Sequence, residues 1–258
     1  MISRSQFIRL LGTGVGMTAA GSRLWANQPP VLTPGTPETL PVAEPLPPKP
    51  DKAHFVYNGP GFGNRIALTY DDGPTPGITD KILDELAQRK LKATFFMIGN
   101  KVRRYPEIAR AVVAAGHEIA NHTYTHPSLN RLSDKRVVEE LTRCQDVIAE
   151  VTDITPVWFR PPYAAFQNKR QGPMARHQHL GVAYWSVDPR DWANPGVSTI
   201  VSKVLGSTRS GSIILLHDLK RQTLQATPAI LDGLMKKQFQ FTTISGYLGD
   251  PYGPYAAV

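Results

Sequence analysis

Short apolar segments alternate with amphipathic segments along most of the chain. The apolar segments have the length of buried strands, and we predict strands at Ile66–Thr69, Ala93–Ile98, Glu118–Ala120, Val157–Phe159, Gly181–Val187, Ser212–Leu216 and Phe239–Ile244. Between them, apolar residues recur at the spacing of one helix face, which predicts helices around Ile78–Leu86, Ile108–Val113, Val137–Val151, Val197–Leu205 and Leu224–Leu234. Repeated β–α units are typical of a mainly parallel sheet, either open or closed into a barrel. The pattern therefore predicts an α/β protein.

The N-terminal segment lacks this alternation and is typical of an export signal. Within residues 1–26, Arg4 and Arg9 precede a short, weakly apolar stretch, and the small residue Ala26 marks a candidate cleavage site. The segment around Arg4 resembles a twin-arginine signal, although Ser5 stands where the second arginine belongs. The apolar stretch is too short for a stable membrane span. We expect an exported protein of the periplasm, cell envelope or extracellular space.

The next segment, residues 27–53, is rich in proline, which favours extended geometry and predicts a linker. Residues 54–258 are then expected to form a single catalytic domain. The single cysteine, Cys144, excludes an intramolecular disulfide, and its place in an apolar helical stripe predicts a buried thiol.

The chain carries a formal net charge of +8. A basic surface could meet nucleic acid, anionic lipid or an acidic cell-wall polymer. A long run of Lys and Arg and the motifs of nucleic-acid-binding domains are absent from the sequence, so we do not expect a nucleic-acid partner. The sequence does not specify an oligomeric state.

Polar residues follow most of the predicted strands at the point where each strand ends. They are Asp71, Asp72, His122, Arg160, Asp188, Asp191 and His217. The carboxyl ends of parallel strands are where barrels and open α/β sheets build their sites. We therefore expect these side chains to meet at one edge of the sheet.

Two of these segments together predict a metal site. His122 and His126 would share one face if their segment were helical, and Asp72 is the candidate third ligand. Such a set leaves positions open for water and substrate. The Asp-Gly and Gly-Pro pairs around Gly73 could by themselves mark only a turn. However, adjacent carboxylates repel each other unless a cation or proton relieves them, and a metal on Asp72 would leave Asp71 free as a base.

The other polar segments supply groups for acyl transfer. Arg160 could hold the carboxylate of the base by a charge-assisted hydrogen bond, and the Tyr163 N–H could face a developing oxyanion. His217 is a candidate acid for the leaving group. The segment from Asp188 to Trp192 offers a carboxylate to raise the pKa of that histidine and an indole to pack against a sugar ring.

Five motifs, in this order and spacing, resemble those of the NodB-type polysaccharide deacetylases, carbohydrate esterase family four. They are TYDDGP at 69–74, HTYTH at 122–126, RPPY at 160–163, DPRDW at 188–192 and LLHD at 215–218. The resemblance implies an irregular (β/α) barrel with fewer than eight strands. The resemblance implies that Asp71 is the base and that Arg160 supports it. It implies that Asp72, His122 and His126 bind the metal. It also implies that His217 is the acid, that Asp191 tunes its pKa, and that Leu215 lines the acetyl pocket. Tyr70 and Ala164 depart from the usual Phe and Gly, and neither change removes a catalytic group.

The sequence thus predicts a metal-dependent hydrolase that removes N-acetyl groups from a polysaccharide of N-acetylhexosamines, such as peptidoglycan or a chitin-like oligosaccharide. Zn²⁺ is the expected ion, and Co²⁺, Ni²⁺ or iron would suit the same ligands. Three alternatives stay open: an O-deacetylase of acetylated xylan or another polysaccharide, a non-haem iron oxygenase, and a sugar-binding module without activity.

Overall fold

Eight strands and eight helices make up most of residues 53–249, the part of the protein that a computed structural model describes. The strands are β1 (Phe55–Val56), β2 (Arg65–Asp71), β3 (Thr94–Met97), β4 (Glu118–Asn121), β5 (Trp158–Phe159), β6 (Gly181–Ala183), β7 (Ile213–His217) and β8 (Gln240–Thr242). The helices are α1 (Thr79–Gln88), α2 (Gly99–Arg104), α3 (Pro106–Ala114), α4 (Asp134–Thr152), α5 (Asn168–His177), α6 (Val197–Ser207), α7 (Arg221–Lys236) and α8 (Ile244–Leu248). The predicted signal, residues 1–26, and nearly all of the predicted linker lie outside the described residues.

Every strand and helix that the apolar pattern predicts overlaps an observed one, while β1, α2, α5 and α8 were not predicted. Helix α5 was missed because it is mostly polar and buries only Gln171, Gly172 and Ala175, so it has no apolar period. The strand predicted to end at Val187 ends at Ala183, and the strand predicted to reach Ile244 ends at Thr242. There the Thr243 hydroxyl accepts a hydrogen bond from the Gly246 N–H, and α8 begins.

The strands form one parallel sheet in the order β1-β6-β5-β4-β3-β2-β7, and β8 pairs with β2 outside this path. The path closes irregularly: Val187, just after β6, bridges to Ile214 of β7, and Asn58, just after β1, bridges to Ser212. Seven strands in the continuous path and a broken closure match the irregular barrel that the motifs implied.

Strand β2 shows how the barrel sets the direction of a functional side chain. Ile66, Leu68 and Tyr70 pack against the surrounding helices in the largest core cluster, whereas Ala67 belongs to the cluster inside the barrel. Because side chains alternate along a strand, Thr69 and Asp71 continue the inward-facing set of Ala67. Asp71, the last residue of β2, therefore points into the mouth of the barrel.

The core also places the lone thiol. Cys144 lies in α4 with no exposed surface, which confirms the predicted buried position, and burial raises its pKa to about 12.

Within residues 53–249, none of the helices combines the length and the apolar character needed to cross a membrane.

Candidate active site

The carboxyl edge of the sheet opens into a cavity of about 380 Å³. Eight of the ten residues predicted for the site line this cavity: Asp71, Asp72, His122, His126, Tyr163, Trp192, Leu215 and His217. The other two, Arg160 and Asp191, are fully buried beneath it. The prediction that the polar residues after the strands would meet at one edge agrees with this placement.

Arg160 supports Asp71 from inside the barrel. Its Nη1 donates to Asp71 Oδ1 and to Thr69 Oγ1, both at 2.7 Å. Its Nε and Nη2 donate to the carbonyl oxygens of Ala183 and Tyr184, both at 2.9 Å. The guanidinium therefore joins β2 to β6 and fixes the orientation of the Asp71 carboxylate. Burial lowers the pKa of Arg160, and the charge of Asp71 opposes this shift.

Asp72, His122 and His126 form a group whose ligand atoms all lie within 4.8 Å of one another. Asp72 Oδ1 lies 3.4 Å from His122 Nε2 and 3.0 Å from His126 Nε2, yet it is buried and accepts no hydrogen bond from the described residues. His122 Nδ1 lies 2.7 Å from the Arg160 carbonyl oxygen. A carbonyl can only accept, so Nδ1 carries the proton and Nε2 is free to bind a cation.

These three residues fit a divalent metal ion. Two imidazole nitrogens and one carboxylate oxygen are a usual ligand set for such ions, and an unpartnered buried carboxylate oxygen is the atom that a cation would satisfy. Asp71 faces the same space, with Oδ2 at 3.8 Å from His122 Nε2 and Oδ1 held by Arg160. The two adjacent aspartates thus differ in environment, as the sequence predicted.

The helical geometry considered for His122 and His126 is wrong, because residues 122–128 form a loop. Thr123 and His126 have positive φ angles of 65° and 61°, and the two imidazoles lie 4.9 Å apart between ring centroids. Glu140 of α4 holds this loop, since its carboxylate accepts from the N–H groups of Tyr124 and Thr125 and from the Thr125 hydroxyl at 2.8–2.9 Å. This role was not predicted, because Glu140 lies 14 residues beyond the motif on a helix with an ordinary amphipathic pattern.

The backbone of Asp72 is also held by residues that the motifs do not contain. Asp72 has a φ of 76°, and Lys101 Nζ of α2 donates to its carbonyl oxygen at 2.6 Å. The next residue, Gly73, packs so closely on the Asp218 carboxylate that a Cβ there would overlap it. Asp218 accepts from Thr79 Oγ1 at 2.6 Å, and burial raises its pKa to about 7. These contacts fix the turn that carries Asp72, a candidate metal ligand.

His217 and Asp191 form a hydrogen-bonded pair next to Asp71, because His217 of β7 is the residue that pairs with Asp71 of β2 in the sheet. Asp191 Oδ1 lies 2.7 Å from His217 Nδ1, while Oδ2 accepts from the His217 N–H at 2.8 Å and from Thr223 Oγ1 at 2.6 Å. Burial disfavours the imidazolium, but the hydrogen bond and the charge of Asp191 outweigh it, and the pKa of His217 rises to about 9. A protonated His217 would present its Nε2–H to the cavity.

The walls of the cavity include apolar and aromatic groups. Leu215 is buried at its base, whereas Tyr163 and Trp192 are 71% and 44% exposed at its rim. The Tyr163 ring packs edge-on against His126 at 4.8 Å, and its φ of 59° turns the backbone at this point. None of residues 53–249 accepts a hydrogen bond from the Tyr163 N–H. Trp185 also lines the cavity and was not predicted, because it follows a strand that is shorter than its apolar run suggested.

Comparisons with known proteins agree with this geometry. The family model for polysaccharide deacetylase matches residues 59–183. The chain is 38% identical over 180 residues to the peptidoglycan-N-acetylmuramic acid deacetylase PdaC of Bacillus subtilis (strain 168), covering 70% of this chain and 38% of that protein. It is 40% identical over 192 residues to the chitooligosaccharide deacetylase of Bradyrhizobium sp. (strain ANU 289), covering 68% of this chain and 86% of that protein.

Among solved structures, the Bc1960 peptidoglycan N-acetylglucosamine deacetylase superposes with a TM-score of 0.72 at 32% identity, covering 75% of this chain and 92% of that one. The resemblance seen in the five motifs is thereby confirmed at the level of the whole domain. The chain belongs to the polysaccharide deacetylase family, carbohydrate esterase family four.

Proposed function

We propose that the protein is a metal-dependent hydrolase that removes acetyl groups from the N-acetylhexosamine units of a polysaccharide. The observation that carries the proposal is the arrangement of three units around one cavity: the Asp72–His122–His126 group, the Asp71–Arg160 pair and the His217–Asp191 pair. Hydrolysis of an amide needs a base for water, a site for the oxyanion and an acid for the departing amine. Each unit supports one of these tasks.

Asp72, His122 and His126 would hold the cation, which supplies Lewis-acid chemistry to the reacting carbonyl and water when it is bound. Asp71 takes the proton from the attacking water. Its carboxylate is well placed for this task because Arg160 occupies Oδ1, while Oδ2 faces the metal ligands. Arg160 cannot itself accept a proton, so its role is to orient the base through the hydrogen bond to Oδ1.

The remaining steps fall to other groups that line the cavity. The unpartnered Tyr163 N–H is available to the oxyanion as the carbonyl carbon becomes tetrahedral. His217 then donates a proton to the amine nitrogen as the C–N bond breaks, which yields acetate and a free amino sugar. The buried side chain of Leu215 offers an apolar wall for the acetyl methyl group, and Trp192 offers an indole face to the sugar.

Zn²⁺ is the ion that we propose, because two histidines and one carboxylate are a usual catalytic zinc set. Co²⁺ and Ni²⁺ accept the same ligand types, so the choice rests on measurement of the metal content. We further propose that the protein is exported and acts on a cell-envelope glycan. The basic, apolar and proline-rich features of residues 1–53 support export, and the names of the relatives support peptidoglycan or a chitin-like oligosaccharide as substrate.

The test is acetate release from peptidoglycan, chitin oligomers and acetylxylan, each with and without a chelator. We expect release from an N-acetylated glycan that is abolished by the chelator and restored by Zn²⁺. Release from acetylxylan alone would favour the O-deacetylase alternative. Oxygen-dependent turnover would favour the oxygenase, and glycan binding without acetate release would favour the inactive module.

A matched pair of variants tests the base. Asp71→Asn should abolish turnover while the metal content stays at the wild-type level, because the amide cannot take the proton from water. The control is Asp84→Asn, which alters an exposed carboxylate on α1 away from the cavity and should leave both quantities unchanged. Wild-type turnover in Asp71→Asn would refute the assignment of the base.

A further inference from the structure

Two further cavities adjoin the central one. The larger, about 620 Å³, is lined by Pro127, Ser128, Arg131 and Leu132 together with His126 and Tyr163. The other, about 400 Å³, includes Asn100, Lys101 and Leu219 and shares Asp72, His126 and Tyr163 with the site. Because His126 and Tyr163 border all three, the cavities meet at the metal ligands and form a continuous groove. A groove of this kind can hold successive units of a polymer.

The two arms of the groove differ in charge. In the smaller arm, the cation of Lys101 is bound to the Asp72 carbonyl and so has a structural task. In the larger arm, Arg131 is exposed, and its guanidinium has no hydrogen-bond or ionic partner within residues 53–249. A charged side chain that borders a cavity without a partner is available to a ligand of opposite charge.

The α5 segment next to Arg131 is basic. Arg170 of α5 donates to the carbonyl oxygen of Leu132, which lines the same cavity, and its charge is balanced by an ion pair with Asp134. Lys169 and Arg176 are further cations of this helix, which contains neither Asp nor Glu. The polar, basic α5 segment has no part in the reaction proposed above. Its position beside the larger arm favours an anionic ligand there.

We propose that the larger arm is a subsite for an acidic sugar unit, in which Arg131 binds a carboxylate on the unit next to the reacting N-acetylhexosamine. The proposal rests on the function proposed above and narrows its substrate class. A guanidinium binds a carboxylate through two parallel N–H···O hydrogen bonds, which fixes position as well as charge.

The consequence for the substrate follows from polymer geometry. In a glycan whose acidic and unsubstituted hexosamines alternate, an acidic unit beside Arg131 places an unsubstituted unit over the metal ligands. Peptidoglycan strands whose stem peptides have been removed are such a glycan, since each muramic acid unit then carries a free lactyl carboxylate and these units alternate with N-acetylglucosamine. The protein should therefore deacetylate the N-acetylglucosamine units of a peptide-free peptidoglycan strand.

The experiment compares kcat/KM for two oligosaccharides of equal length: a peptidoglycan oligomer with free lactyl carboxylates, and neutral chitotetraose. For Arg131→Gln we expect about a three- to tenfold fall on the acidic oligomer and no change on chitotetraose, because a partly exposed ion pair contributes modestly. The fall should shrink at high salt, which screens the interaction. Lys135→Gln is the matched control, since it removes an exposed cation four residues away that lines none of the three cavities.

The outcomes separate the two proposals. An equal rate on the acidic oligomer for Arg131→Gln and wild type, or an equal fall on both substrates, would overturn the acidic subsite while leaving the deacetylase function intact. Mass spectrometry that places the free amine on the muramic acid unit would also overturn it. If the wild type releases acetate from neither oligomer, the proposed function itself fails, and the subsite fails with it.

Discussion

The pair formed by His217 and Asp191 gives a quantitative prediction about pH. Replacing Asp191 with Asn keeps the size of the side chain but removes its negative charge. The new amide also carries an N–H₂ group, which must face either His217 Nδ1 or the two donors to Oδ2, the His217 N–H and Thr223 Oγ1. The imidazolium then loses its main source of stabilisation, whereas burial, which disfavours the charged form, remains.

The size of the effect follows from the pKa of His217, which the pair raises to about 9. With the Asp191 charge and acceptor gone, we expect the pKa to return to the ordinary histidine value of roughly 6.5 or below. At pH 7.5 the protonated fraction would fall from about 97% to about 9%, which is a loss of about tenfold in the competent acid. The variant should lose activity first at alkaline pH, because a raised pKa keeps His217 protonated to higher pH and the variant lacks that rise.

The measurement is the pH profile of kcat/KM on an N-acetylated oligosaccharide for the metal-loaded protein. The alkaline limb of the wild-type profile should lie near pH 9, and in Asp191→Asn it should move at least about two units towards acid. Thr223→Val is the matched control, because it removes one hydrogen bond to the same carboxylate but leaves its charge. Its alkaline limb should shift by much less.

Two results would refute this reasoning. If the alkaline limb stays in place in Asp191→Asn while the rate falls equally at all pH values, Asp191 acts by positioning and not by raising the pKa. If Thr223→Val shifts the limb as far as Asp191→Asn does, the hydrogen-bond network and not the charge sets the pKa. An NMR titration of the His217 ring in the folded variants would distinguish these cases directly.

Three further predictions concern the supports of the site. Arg160→Met should lower the free energy of unfolding by about 3–5 kcal/mol, because it leaves the Asp71 carboxylate and several acceptors buried without a partner. Urea denaturation measures this change. A change under about 1 kcal/mol, which is the range of exposed ion pairs, would contradict the prediction. Glu140→Gln should weaken metal binding about 10- to 100-fold in a chelator competition, since the loop of both histidines is held by that carboxylate. The control Glu139→Gln alters the neighbouring, half-buried carboxylate, which pairs with Arg136 and not with the loop, and should bind metal as the wild type does. Gly73→Ala should abolish acetate release because its Cβ would overlap Asp218, and a fully active variant would show that the turn can shift.

The sequence predicted the parts of the fold and site that depend on local pattern. The apolar run Ile66–Thr69 predicted a buried strand, and the structure extends it to Asp71. Along it, Ile66, Leu68 and Tyr70 face one way and Ala67 faces the other. Parallel strands then carry their last residues to one edge, so the motif residues met there without any knowledge of the strand order. The rule works because it depends only on chain direction.

Residues that act through tertiary contact were not predictable in this way. Glu140 and Lys101 lie on helices whose sequence pattern indicates only which face is buried. They hold the backbone of the candidate metal ligands although they lie outside the motifs. The loop from His122 to His126 was considered as a helix because a spacing of four residues is the helical one. The same spacing also fits a turn in which Thr123 and His126 take positive φ angles.

The strand order explains why these supports are needed. Strands β2, β3, β4 and β5 are neighbours in the sheet, and the turns after β2, β4 and β5 supply Asp72, the two histidines and the Arg160 carbonyl that orients His122. The turns after β2 and β4 leave regular geometry where they bring the candidate ligands together, as the positive φ values of Asp72, Thr123 and His126 show. Regular sheet hydrogen bonds cannot hold such turns, so side chains from α2 and α4 hold them instead. The metal site therefore depends on two helices that contribute no ligand, which is why variants of Glu140 should change metal affinity while leaving every ligand in place.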